Sequence, residues 1–202
     1  MNQDVYITST GMYLPNDPID NDQIEEILGL IRNKQSRLKK RILKSNGIQT
    51  RHYAIDKEHR STISNSEMAA NAGRVCLEAS SIPLQKISLL SCATSQGDLV
   101  LPGFGSMVQA DLGLQSIELN TSHGICSSSL MALKYAYNSL RCSEHSNALV
   151  IASEFVSRMF KASRYEAVGV GESLDFDAEF LRWMLSDGAG ACLLECAFSA
   201  SF

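Results

Sequence analysis

The apolar positions of the chain alternate between short runs and a helical spacing of three and four residues. Short apolar runs bounded by turn residues predict strands, which lie at residues 4–9, 48–55, 86–94, 116–121 and 147–153, with a last extended stretch or hairpin at 188–202. Helical spacing and capping signals predict helices, which lie at residues 19–45, after the capping-box pair Ser64 and Glu67, at 102–113, and from Cys126 to about Arg141. The polar and acidic segment 165–180 is interpreted as a loop, either a lid or an ordinary surface excursion.

This order of strands and helices predicts an α/β layered fold with a mostly parallel sheet. Short buried strands that are separated by helices are typical of parallel sheets, whose faces the helices cover. The 202 residues, 45% of them hydrophobic, are enough for one substantial core, so we expect a single domain.

Charge and hydropathy exclude several classes of function. The net charge of −4 gives no general attraction to nucleic acid or to an anionic membrane surface. The basic cluster at residues 32–44 is interpreted as a solvated helix face, with a phosphate-binding patch as the alternative. No apolar stretch reaches the roughly 18 residues of a membrane span, and the first residues lack the pattern of a secretory signal. We therefore expect a cytoplasmic protein.

The six cysteines are scattered along the chain, at positions 76, 92, 126, 142, 192 and 196. Without an export signal we expect no disulfide framework. Cys142 and His145 have a C-x-x-H spacing, but no second pair with ligand spacing lies nearby, so we expect no zinc site. Most of these thiols are interpreted as small core residues.

Cys126 has a different setting, in the stretch GICSSS between a predicted strand and a predicted helix. A cysteine attacks as the thiolate, and a helix N-terminus favours an anion through its unpaired N–H groups and its partial positive charge. Gly124 permits a tight turn, and the serines put no bulk beside the sulfur. The same N–H groups could hold the oxyanion of a thioester under attack. On these grounds two interpretations of Cys126 remain open: a catalytic nucleophile, and a buried thiol that happens to start a helix.

Several segments resemble the condensing enzymes of the thiolase-like fold, most closely the type III ketoacyl-carrier-protein synthases. The similar segments follow the family's order from about residue 4 to 196 and are YITSTGMYLP, LKSNGIQTRHYA, CATSQGDLVLPGFGSMVQADLGL, the Cys126 stretch and SDGAGACLL. The resemblance implies the first of the two similar halves of such an enzyme. The second half, with its catalytic histidine and asparagine, would then be absent from residues 1–202, either by truncation or because another chain supplies it.

The resemblance also implies a reaction and its partners. Cys126 would take an acyl group from acyl-coenzyme A or an acyl-carrier protein, and its own N–H would contribute to the oxyanion hole. Malonyl-carrier protein would then lose CO₂ and attack the thioester, giving a 3-oxoacyl product without a cofactor or metal. The loop at Leu101 and Pro102 would lend a side chain to the acyl pocket of a partner, in a homodimer or heterodimer. Leu101 stands where close relatives carry an aromatic residue.

Two further positions depart from the family's pattern. Ser45 and Asn46 occupy the neighbourhood of an arginine that meets coenzyme A, so Lys40, Arg41 and Lys44 are interpreted as contacts to coenzyme A or to a carrier protein. The sequence of this segment resembles the synthase III-like enzymes of aryl polyene or dialkylresorcinol pathways more closely than the housekeeping initiator of the family. His123 is the histidine near Cys126, either as a local base or as a structural turn residue. A non-catalytic partner subunit and a thiolase-type acyltransferase remain alternative functions.

Overall fold

The computed structural model of the protein describes residues 3–167 and 174–196. The strands are β1 Val5–Tyr13, β2 Ile19–Asp20, β3 Thr50–Arg51, β4 Leu89–Ala93, β5 Glu118–Ser122, β6 Asn147–Glu154 and β7 Gly188–Cys196. The α-helices are α1 Ile24–Leu28, α2 Lys39–Asn46, α3 Asn65–Glu78, α4 Phe104–Leu112, α5 Ser128–Arg141, α6 Ser157–Phe160, α7 Ala162–Ala167 and α8 Phe176–Met184. Short 3-10 helices lie at Ile31–Asn33, Leu84–Lys86 and Ile125–Ser127.

The described residues form two compact units. The first contains residues 3–13, 65–154 and 189–196, and the second contains residues 14–64, 155–167 and 174–188. None of the described helices is both long enough and apolar enough to cross a membrane.

The first unit is built on a five-stranded sheet with the order β1-β7-β6-β4-β5. Strand β4, next to the edge strand β5, runs parallel to both of its neighbours β5 and β6, whereas β1 and β7 are antiparallel to each other. All five residues of β4 are buried, which fits a strand that is covered on both faces. The mixed α/β architecture with a mostly parallel central sheet confirms the predicted fold class.

Helices cover the two faces of this sheet, and the alternation along β6 shows which side each helix takes. Ala148 and Val150 belong to the buried cluster that includes Ala132, Ala136 and Leu140 of α5. Leu149 and Ile151 point to the other face, where they lie against Gly73 of α3. Since α4 packs beside α3, the sheet has α3 and α4 on one face and α5 on the other.

The second unit is smaller and contains the short β2–β3 ribbon with the remaining helices. Its centre holds Asp187, whose carboxylate accepts hydrogen bonds from the amides of Ala54 and Ser157 at 2.7 and 2.8 Å. Burial raises the pKa of the Asp187 carboxyl, and the bonds from Ser157 and Ala54 oppose that rise. The buried Arg182 donates to the carbonyl oxygens of Phe160 and Gly29. These hydrogen bonds between buried polar groups help to fix this unit.

The predicted helix over 19–45 is wrong, because the segment contains α1, a 3-10 turn and α2. The chain breaks at Gly29, with φ of 76°, and again at Arg32 and Asn33, with φ of 51° and 57°. These left-handed conformations cannot continue a right-handed helix, although the apolar spacing on either side is helical.

Two other predicted elements also need correction. Only Thr50–Arg51 of the predicted strand 48–55 pairs with another strand. The predicted loop 165–180 contains the end of α7 and the start of α8, where Asp175 caps the helix by accepting from the Ala178 amide at 2.8 Å. Residues 168–173 of that loop, and residues 197–202 of the predicted last stretch, lie outside the described residues.

Gly11 permits the close approach of β1 to α3. A Cβ atom at this position would overlap the carbonyl oxygen of Ala72 and the amide of Cys76, both of which are backbone atoms of α3. Gly190, on the neighbouring strand β7 opposite Met12, has open space where a Cβ would be placed. The two glycines therefore form a matched pair for substitution.

We predict that Gly11→Ala lowers the free energy of unfolding by about 1–3 kcal/mol, because the helix backbone must move to admit the methyl group. Gly190→Ala should change it by no more than about 0.5 kcal/mol. Urea denaturation followed by circular dichroism measures both variants. Equal losses in the two variants would contradict the proposed close packing of β1 on α3.

Candidate active site

The turn between β5 and α5 carries the predicted nucleophile. Gly124 ends the extended chain, Ile125 has a φ of 50°, and a 3-10 turn over Ile125–Ser127 leads directly into α5. The Ser127 amide donates to the Gly124 carbonyl oxygen at 3.1 Å, and the Ser128 hydroxyl donates to that of Ile125 at 2.7 Å. A Cβ at Gly124 would come 2.5 Å from the sulfur of Met131, a half-exposed side chain that would have to move aside.

Cys126 is exposed at the start of this helical segment. In the described part of the chain its amide N–H donates to no acceptor, as is usual for the first amides of a helix. An exposed thiol can attack a carbonyl carbon, and an unpaired amide beside it can donate a hydrogen bond to the resulting oxyanion. The geometry therefore suits the predicted roles of Cys126, which stay predictions.

The carboxyl ends of β4, β5 and β6 meet beside this turn. The pairing aligns Ala93 of β4 with Ser122 of β5 and with Ala152 of β6. Polar side chains follow directly at the end of each strand, and ligand sites in parallel sheets lie at such edges. Cys126 thus lies at the edge of the sheet where ligand-binding and active sites of parallel sheets are usually found.

His123 is exposed in this turn, and its Nδ1 lies 3.0 Å from the carbonyl oxygen of Thr94. Because a carbonyl oxygen only accepts, Nδ1 must carry the proton. In the neutral form of the ring, Nε2 is then the nitrogen with the free lone pair. The contact gives His123 a structural partner at the end of β4, and its role as a base stays a hypothesis.

A buried polar cluster at the end of β4 was not predicted from the sequence. Asn65, fully buried at the start of α3, donates from Nδ2 to the Thr94 hydroxyl at 2.9 Å and accepts from the Ser153 hydroxyl at 2.7 Å. Glu154 accepts from both the amide and the hydroxyl of Ser95 at 2.8 Å. The signal that could have revealed the cluster is the polar residues directly after the apolar runs of β4 and β6.

Leu101 and Pro102 lie in the loop between β4 and α4. Leu99, Val100 and Leu101 are 58%, 93% and 81% exposed in succession, and the Leu101–Pro102 peptide bond is cis. Three neighbouring exposed aliphatic side chains are unusual for a solvated loop. The loop is therefore available to a partner, and its place in an acyl pocket stays a prediction.

The predicted contact residues Lys40, Arg41 and Lys44 are exposed on α2 in the second unit. Lys39, the next cation in the row, is instead bound to Glu25 at 3.0 Å and lies over the ring of Trp183 at 5.6 Å. The three exposed cations share one side of the helix, since residues three and four apart are neighbours. They form an exposed helix face, but the predicted face over residues 32–44 is limited to α2, since residues 32–38 lie outside it. Their role as contacts to coenzyme A or a carrier protein stays a prediction.

The remaining cysteines have other environments. All six are free thiols, and Cys142 is the other exposed one. Burial raises the pKa of Cys92, in β4, and raises that of Cys192 to about 11. Among the described residues no group of three or more His, Cys, Asp or Glu side chains could hold a metal ion.

Solved structures of condensing enzymes have the same fold. AbyA1, a tetronic acid condensing enzyme, matches with a TM-score of 0.78 and 24% identity over 98% of this chain and 56% of its own. The 3-oxoacyl-[acyl-carrier-protein] synthase III of Aquifex aeolicus matches with a TM-score of 0.74 and 23% identity over 97% of this chain and 55% of its own. A variant of OleA from Xanthomonas campestris, solved with cerulenin, matches with a TM-score of 0.77 and 19% identity over 99% of this chain and 60% of its own.

These matches confirm the predicted thiolase-like fold. No family model matches the sequence. The chain spans between about half and three fifths of the length of the structures it matches. At identities of 19–24% the likeness establishes the fold of a condensing enzyme, over about half of such an enzyme.

We predict that iodoacetamide at neutral pH modifies Cys126 and Cys142 in the folded chain, because both thiols are exposed. Cys92 and Cys192 should stay unmodified, since burial hinders access and favours the protonated thiol. Peptide mass spectrometry after short exposure measures each site. A Cys126 that reacts no faster than Cys92 would show that the nucleophile turn is closed to solvent.

Proposed function

We propose that this chain is the acyl-accepting half of a 3-oxoacyl-carrier-protein synthase III-like condensing enzyme. The observation that carries the proposal is the exposed Cys126 thiol beside its own amide, which has no acceptor in the described part of the chain, at the carboxyl edge of a parallel sheet with the condensing-enzyme fold. The substrates would be an acyl thioester of coenzyme A or of a carrier protein, followed by malonyl-carrier protein.

In the first step the Cys126 thiolate attacks the carbonyl carbon of the thioester. The oxyanion of the tetrahedral intermediate accepts a hydrogen bond from the Cys126 amide. When the intermediate collapses, the bond to the original sulfur breaks, and the free thiol leaves with the proton that Cys126 gave up. The acyl group is then held as a thioester on Cys126 for a later decarboxylative condensation.

A second α/β half would cover the outer side of α5. The inner side of this helix is buried through Ala132, Ala136 and Leu140, yet Leu130, Met131 and Tyr137 are exposed on the outer side. An apolar groove of about 360 Å³ lies between α5 and β1, lined by Val5, Ile7, Leu130, Leu133, Lys134, Tyr137 and Leu194. These exposed apolar side chains share the solvent side with the polar Lys134 and Asn138, and an apolar patch of this kind is typical of a surface that another layer covers. We therefore infer that residues 1–202 form the N-terminal half of a larger body.

That second half would supply the histidine and asparagine for the condensation, which the resemblance to the type III synthases implies. It could be a further segment of the same protein or a separate chain. With its catalytic residues in place the assembly would work in the cytoplasm, where both thioester substrates are made available.

A partner copy, identical or related, would pack against the edge of β5 and the loop at Leu101. Strand β5 pairs only with β4 among the described strands, so its other edge has unpaired backbone groups. The loop adds three exposed aliphatic side chains. In the dimer Leu101 and Pro102 would line the acyl pocket of the partner, where the loss of an aromatic side chain leaves room for longer chains.

The exposed cations Lys40, Arg41 and Lys44 support an anionic partner. An acidic helix of a carrier protein, or the phosphates of coenzyme A, would match their charge. This contact would raise the association rate and would weaken with salt.

We predict that the chain takes one acyl group from an acyl-pantetheine thioester, and that the group is found on the peptide containing Cys126. Cys126→Ser should abolish this transfer with a melting temperature within about 2 °C of the wild type, because the change is nearly isosteric and exposed. Cys142→Ser removes the other exposed thiol and should keep the transfer. Intact-mass and peptide mass spectrometry measure all three proteins.

A folded wild-type chain that takes no acyl group would instead support the alternative of a non-catalytic partner subunit. Transfer that survives Cys126→Ser would exclude Cys126 as the nucleophile. The thiolase-type alternative shares the acyl-cysteine and would be recognised by thiolysis of a 3-oxoacyl thioester once the second half is present.

A further inference from the structure

The loop that carries Leu101 is held by buried polar groups at its base. Glu154 binds the amide and the hydroxyl of Ser95, and the Asn65 side chain donates to the Gln96 carbonyl oxygen at 3.2 Å. The Asp98 carboxylate accepts from the amides of Asn65 and Ser66 at 3.1 and 2.9 Å. These bonds end at residue 98, directly before the exposed Leu99.

Asp98 acts as the N-terminal cap of α3 although it lies 33 and 32 residues beyond the two amides from which it accepts. The first amides of a helix lack acceptors within the helix, and a carboxylate there gains both the hydrogen bonds and the favourable helix dipole. The cap therefore ties the β4–α4 loop to a helix that is packed on the sheet.

The support beneath this cap is rigid. Asn65 is fully buried, Thr94 and Ser153 are almost so, and the three side chains satisfy one another through the Asn65 amide group. A fully satisfied buried network fixes the positions of its members. The direction in which the chain leaves residue 98 is thereby set.

We propose that Asp98 is a positioning residue that fixes the Leu99–Leu101 tip, and that it thereby sets the acyl-chain length accepted in the pocket of the partner. The role in acyl-chain length rests on the proposed function. A tip that is ordered before a partner binds loses little conformational entropy on insertion. It also presents Leu101 at one depth, which defines the end of the pocket.

The test compares Asp98→Ala and Asp98→Asn with Asp175→Ala, a matched control that removes the cap of α8 in the other unit. Backbone ¹⁵N relaxation measures the order parameters of residues 99–101 in the full chain. We expect about 0.8 in the wild type and less than about 0.6 in Asp98→Ala. Asp98→Asn keeps one acceptor oxygen and should be intermediate, and Asp175→Ala should match the wild type in this loop.

The second readout is the ratio of Cys126 acylation rates with decanoyl- and butanoyl-pantetheine. Asp98→Ala should change this ratio at least about threefold, whereas Asp175→Ala should lower both rates together or neither.

A wild-type tip with order parameters below about 0.6, or a tip unchanged in Asp98→Ala, would overturn the positioning role. An unchanged ratio with a disordered tip would overturn the role in chain length. A wild-type chain that takes no acyl group contradicts the proposed function, and with it the role in chain length, while the relaxation data decide on positioning.

Discussion

The parallel alignment of β4, β5 and β6 is the constraint on which the candidate site depends. Parallel strands bring their carboxyl ends to one edge of the sheet, so the residues that follow each strand must lie side by side. There β5 turns through Gly124 and Ile125 into α5. This sharp turn leaves the Cys126 thiol outside the core, and the Cys126 amide has no acceptor among the described residues. The chemistry proposed for the chain follows from that turn.

The surface of the first unit supports the proposal that a second half covers it. Helix α5 is apolar toward the sheet and exposes Leu130, Met131 and Tyr137 toward solvent, and a largely apolar groove separates it from β1. A fold that matches solved condensing enzymes over about half of their length accounts for such a surface, because a middle layer needs cover on both sides. The loop at Leu101 and the open edge of β5 would face a different neighbour.

Local sequence signals were enough for the elements that position Cys126. Strands β4 and β6 and the turn before α5 are each determined by a few neighbouring residues, namely short apolar runs and the stretch from glycine to serine. The structure has these elements where they were predicted. The helix over 19–45 failed because Arg32 and Asn33 adopt left-handed conformations that apolar spacing does not reveal. The capping of α3 by Asp98 could not be predicted either, since the donor and the acceptor meet only through tertiary packing.

The most direct test of the account is a crystal structure of the chain after reaction with an acyl-pantetheine thioester. The account predicts continuous density from the Cys126 sulfur to the acyl carbonyl, with the carbonyl oxygen about 2.9 Å from the Cys126 amide nitrogen. Density on another cysteine, or a carbonyl oxygen that points away from this amide, would contradict the claim that the start of α5 both holds the nucleophile and stabilises the oxyanion.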